Sequence, residues 1–116
     1  MSSFTFESSI DRVVADELAD FIRSQITGKL SEVPGISYEI EGMLNKSGVF
    51  NTYQLIGKYL SMKRMEEDLL DHHVHFLNYL GYMGISKAEG HRITQSIGEK
   101  VSTMIPGLYD PSIFVE

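Results

Sequence analysis

Cysteine is absent from the 116 residues, which excludes disulfide staples, thiolate nucleophiles and thiolate metal sites and fits a reducing compartment. Long apolar runs are absent too. No stretch is long enough to cross a bilayer, and residues 1–9 have neither a basic flank nor a continuous apolar core, so a soluble intracellular protein, nuclear or cytoplasmic, is expected. Positive charge is in short supply: 10 Lys and Arg stand against 16 Asp and Glu, a formal net charge of -6. Affinity for phosphate polymers comes largely from massed cations, so this balance argues against non-specific coating of nucleic acid or anionic lipid while leaving room for a local site. There are no internal repeats, no low-complexity linker, no phosphate-binding glycine loop and no serine in a nucleophile elbow. A non-catalytic chain without a cofactor is expected.

What is present is helical punctuation around one core. With 42% hydrophobic residues the chain suffices for one small domain. Ile10, Val13, Val14, Leu18, Phe21 and Ile22 recur at three-and-four spacing and predict a helix from Ser8 or Ser9 to about Gln25, with Gly28 ending it. A short helical turn through Leu30 leads into Val33-Pro34-Gly35-Ile36-Ser37, where proline forbids a continuous helix. Ile40, Met43 and Leu44 form the face of the next helix, which Gly48 breaks. Asn51, with Gln54 three residues on, starts another. On it Tyr53, Ile56 and Leu60 are expected to face inward, with Leu55, Tyr59 and Met62 on a second face. A helix apolar on two sides is either deeply buried or shared with a partner. Glu66, Glu67 and Asp68 suit the start of a helix with Met65, Leu69, Phe76, Leu77 and Leu80 inward. Ser86 and Glu89 form a capping box for the last helix, striped by Ile93, Ile97, Val101 and Met104 up to Pro106. The expected layout is a lead over 1–8, one helical domain over 9–105, and a tail over 106–116 whose Leu108, Tyr109, Ile113 and Phe114 pack back on the domain or dock elsewhere.

The motif with mechanistic content is the Val33-Pro34-Gly35-Ile36-Ser37 hairpin followed by a helix. A bend this tight needs a residue without Cβ, and the amides at the hairpin and helix start can hold a backbone phosphate, which binds DNA without reading its sequence. From Pro34 to Met62 the chain resembles the barrier-to-autointegration factor family without a gap: hairpin, Leu44, Gly48, Tyr53, Gly57, Leu60. Asp20-Phe21-Ile22 upstream, with Phe76-Leu77 and the capped helix after Gly84 downstream, extends the resemblance over about residues 20–104. The resemblance implies an all-α bundle of five to six helices with a helix-hairpin-helix at about 24–46, forming a homodimer that binds double-stranded DNA and docks protein partners. It would give Gly35, Ile36 and Ser37 the role of amide donors, make Lys46, Lys87 and Arg92 the nearby cations, and place Tyr53, Ile56, Gly57 and Leu60 at the dimer contact.

Three departures from the family pattern favour a second class, an acidic adaptor or structural component of a chromatin or cytoskeletal assembly. Ser37 stands where the family has a second glycine, and its hydroxyl can occupy amides that phosphate would use. Glu39 and Glu41 lie in the first helical turn, and the basic residues are dispersed. A sterile-alpha-motif-like interaction domain is a third candidate that explains the Pro-Gly hairpin less well. His72, His73 and His75 form a local cluster in which His72 and His75, with Glu67, Asp68 or Asp71, suggest zinc in principle; surface imidazoles are the commoner outcome, and no metal site is expected.

Overall fold

The structure, a computed structural model, describes residues 15–65 and 68–110. Among these the chain is all-helical, without strands. Residues 15–23 form α1, whose beginning falls outside the described residues, as do the expected cap at Ser8 or Ser9, the lead over 1–8, Glu66, Glu67, and Ile113 and Phe114 of the tail. A 3-10 turn spans Leu30–Glu32, followed by α2 (Tyr38–Lys46), α3 (Thr52–Ser61), α4 (Leu69–Tyr82) and α5 (Lys87–Ser102).

Each helix start is made by the residue type that the sequence puts there. Ser37, Asn51, Asp68 and Ser86 are extended N-caps, accepting hydrogen bonds from the N–H groups of Ile40, Gln54, Asp71 and Glu89 respectively. Gln54 completes its side of the exchange by accepting from Phe50 N–H at 2.7 Å. The ends of α2 and α4 share one solution. Val49 N–H reaches back to Leu44 O, and Ile85 N–H to Leu80 O, so each helix closes on an apolar residue that is itself buried.

The core runs from Phe21 through Leu30, Val33, Ile36, Ile40, Leu44 and Val49 to Leu55, Tyr59, Phe76, Leu80, Ile93, Ile97 and Val101. α4 and α5, joined by residues 83–86, pack most extensively on each other, with α3 against α5 and the 3-10 turn against α2.

Four expectations are corrected. α1 ends at Arg23, two residues short of the expected Gln25, where Lys100 Nζ donates to the carbonyls of Phe21 (2.9 Å), Ile22 (2.8 Å) and Ser24 and so caps the helix through a tertiary contact. On α3 the buried side is Thr52, Leu55 and Tyr59, whereas Tyr53 is 59% exposed and Ile56 and Leu60 are only partly covered. The ring of Tyr59 packs into α4 from this side: its centroid lies 4.2 Å from that of His72, and it meets Phe76 edge-on at 5.2 Å. Met65 precedes α4 and is fully exposed, and Met104 lies beyond α5 with more than half its surface in water. Histidines 72 and 73, expected on the surface, are core residues at 0% and 2% exposure.

Candidate nucleic-acid interface at the hairpin

Val33, extended, and Pro34, in the turn, are both buried and lead into a reversal at Gly35, whose φ of +98 is a conformation that L side chains rarely adopt. Space makes the same demand. A Cβ at Gly35 would lie 3.0 Å from Ile93 Cγ1 and 3.3 Å from Ile93 N, so the hairpin is seated directly on α5. Ile36 N–H closes the turn onto Val33 O at 3.1 Å, and Ser96 Oγ, which donates to Arg92 O at 2.8 Å, lies beside Pro34 O. The backbone thus bends at the expected residue, although the helix before the bend is only the three-residue 3-10 turn.

The expected amide donors are not equivalent. Ile36 N–H is spent inside the turn and its side chain is buried. Ser37 Oγ takes up Ile40 N–H at 3.2 Å, the local competition that its hydroxyl predicts. The N–H groups of Gly35, Ser37, Tyr38 and Glu39 have no acceptor among the described residues, and residues 37–39 are exposed. They form an open row at the start of α2. Tyr38, missed as a site residue, stands at 93% exposure in the first helical position.

The expected cations do not converge. Arg92 is beside the hairpin, its Cβ 3.4 Å from where a Gly35 Cβ would be. Lys46 ends α2, about 12 Å along the axis from its start. Lys87 opens α5 and lines a different hollow, with Leu77, Asn78, Gly81, Tyr82 and Ile85. Arg92 follows it five positions later, which turns the two to different sides of the helix.

A groove of about 630 Å³ lies between α1, the hairpin and the first turns of α5. Its charged lining is Glu17, Asp20, Glu32, Glu89 and Arg92. Arg92 forms an ion pair with Glu17 through its terminal nitrogen, and its Nε is buried without a partner among the described residues. Asp20 pairs with Arg23 at 3.0 Å, and Glu89 accepts from Ser86 Oγ at 3.0 Å. Glu32 has a structural task that sequence patterning does not signal. Its carboxylate accepts from Thr27 N–H (2.9 Å), Gly28 N–H (3.0 Å) and Thr52 Oγ (2.7 Å), tying the segment after α1 to the start of α3. Burial raises the Glu32 pKa, but these hydrogen bonds outweigh it and hold the carboxyl below its usual range.

The expected dimer residues do share a face. Tyr53, Ile56, Gly57 and Leu60 lie at i, i+3, i+4 and i+7 on α3, with exposed Phe50 just before the helix. Tyr53 is anchored at one end, its ring against Gly28 and its hydroxyl donating to Ile26 O at 3.1 Å.

Two of the clustered histidines make contacts to other parts of the core. His72 Nε2 meets Tyr59 O at 2.7 Å, while His73 Nε2 contacts His91 Nδ1 of α5 at 3.1 Å. Burial, then the nearby His91 and His72, pushes the His73 pKa down to about 4. Among the described residues no group of three or more His, Cys, Asp or Glu side chains could hold a metal ion, and no helix is long and apolar enough to cross a membrane. Comparison with protein-family models, with curated proteins and with solved structures finds no match to this chain.

Proposed function

We propose that this chain is a non-catalytic helix-hairpin-helix module of the barrier-to-autointegration factor type, which contacts the backbone of double-stranded DNA through main-chain amides. The observation that carries the reading is the left-handed turn at Gly35, pinned against Ile93, which leaves the N–H groups of Ser37, Tyr38 and Glu39 open at an exposed helix start. Arg92 is the one expected cation placed beside it. A second copy docking through Tyr53, Ile56, Gly57 and Leu60 would supply a second hairpin, so that one dimer bridges two duplexes by symmetry rather than by massed charge.

Gly35 is a poor site for testing this, since a side chain there disturbs folding. Tyr38→Glu is better: a carboxylate in the first turn favours the helix while repelling phosphate. Fluorescence anisotropy with a short labelled duplex is expected to show saturable wild-type binding that weakens as salt rises, and at least tenfold weaker binding by Tyr38→Glu at equal thermal stability. Equal binding by the two proteins, or no wild-type binding at low salt, would refute the reading.

A second reading is favoured by the acidic groove. With Glu17, Asp20, Glu32 and Glu89 around a cation already ion-paired, the same scaffold suits an adaptor within a larger assembly that does not bind DNA. Absence of DNA binding together with a stable dimer in sedimentation is its signature.

A further inference from the structure

We infer that Glu17 of α1 is a built-in competitor for the DNA phosphate at the hairpin: its ion pair with Arg92 holds the interface in a low-affinity state until phosphate displaces the carboxylate. This rests on the DNA reading and adds to it a means of regulation.

The position of Arg92 is fixed by α5, whose backbone is in contact with the hairpin at Gly35. The position of Glu17 is fixed by α1, since Phe21, one turn further on and therefore on the same face, is buried in the core. Lys100 holds the last carbonyls of that helix and lies with Nζ 5.5 Å from the Phe21 ring centroid. Neither partner reaches the other by chance of a loop.

The neighbouring carboxylates are otherwise engaged. Asp20 is paired with Arg23, Glu32 is held by Thr27, Gly28 and Thr52, and Glu89 is hydrogen-bonded to Ser86. Glu17 is the acid in the groove whose partner is the hairpin cation. Its side chain is 53% exposed and that of Arg92 35%, so the pair is accessible to an incoming polyanion. One guanidinium edge cannot serve a carboxylate and a phosphate at once. Pairing of this exposed kind is weak enough for DNA to displace it, yet strong enough to shift affinity measurably.

The test is a double-mutant cycle on duplex binding with Glu17→Gln, Arg92→Gln and the double variant, with thermal melts to show that each is folded. Glu17→Gln is expected to bind about fivefold tighter than wild type, with a salt slope steeper by about 0.9, the signature of one more phosphate neutralised by the protein. In the Arg92→Gln background the same change is expected to alter neither. An equal rise in affinity in both backgrounds would mean that only net charge had changed, and would overturn the inference. So would unchanged affinity of Glu17→Gln beside normal wild-type binding, with the DNA reading left standing. If none of the four proteins binds DNA, the functional reading itself fails and the competitor role falls with it.

Discussion

Lys100 shows how one residue can decide where a neighbouring element stops. It lies on the apolar side of α5 between Ile97 and Val101, is only 7% exposed, and delivers its ammonium to the open carbonyl end of α1. Lys100→Met keeps the length and loses the donors, depriving the Ile22 and Ser24 carbonyls of their partner and leaving Phe21 O with Ser24 Oγ alone. The expected cost is about 2 kcal/mol, read as a lowered melting temperature with faster hydrogen exchange confined at first to α1. A melt unchanged from wild type would contradict the assignment. His73 makes a second prediction at this scale. Its folded pKa of about 4 lies below the ordinary histidine value of 6.5, so above 6.5 it is neutral whether folded or unfolded and stability is complete. As pH falls from 6.5 towards 4, the unfolded chain takes up a proton that the folded chain refuses, and stability declines. Chemical denaturation between pH 7 and pH 4 is expected to show a progressive loss of stability below pH 6.5 that His73→Phe removes. Both residues were open to misreading for one reason: a polar side chain at a core position of a helical stripe breaks the apolar pattern. His72 and His73 stand four and three residues before Phe76 and belong to its face, and Lys100 stands three after Ile97.

At the scale of elements, helix starts and the hairpin were legible because they depend on local chemistry. Ser37, Asn51 and Ser86 cap as their side chains require, and Gly35 adopts a positive φ in the segment whose proline forbids helix. Orientation and termination were less legible because they depend on what lies across the core. α3 carries two apolar faces, and the choice between them is made by the contacts of Tyr59 with His72 and Phe76, residues of another helix. The outward face follows from that choice, giving a paired prediction. Leu55→Ala should cost about 2–4 kcal/mol by opening a cavity in a fully buried site. Leu60→Ser, partly covered, should cost less and, if the proposed dimer forms through this face, instead shift the sedimentation of the protein towards monomer. Equal destabilisation by both, with association unchanged, would remove α3 from the dimer contact.

For the whole molecule, the proposed function turns on the balance of charge and geometry at one face. The hairpin, α1 and the beginning of α5 meet there, and α1 brings a carboxylate to the same place where α5 brings its cation. Sequence patterning located the hairpin but not this meeting, since Glu17 and Arg92 are 75 residues apart and neither sits in a motif. The family resemblance also grouped Lys46 and Lys87 with Arg92, but Lys46 ends α2 and Lys87 lines a different hollow of α5. What remains at the interface is mostly backbone. On the proposed DNA reading, affinity should therefore be modest and salt-sensitive, with bridging supplied by two hairpins in the proposed dimer. The most direct measurement is titration of isotopically labelled protein with a short duplex, followed by amide nuclear magnetic resonance. The N–H signals of Gly35, Ser37, Tyr38 and Glu39 are expected to move first and furthest, with the Arg92 side chain moving alongside them. Shifts confined to α3 or to the hollow beside Lys87, with the hairpin amides still, would contradict the account.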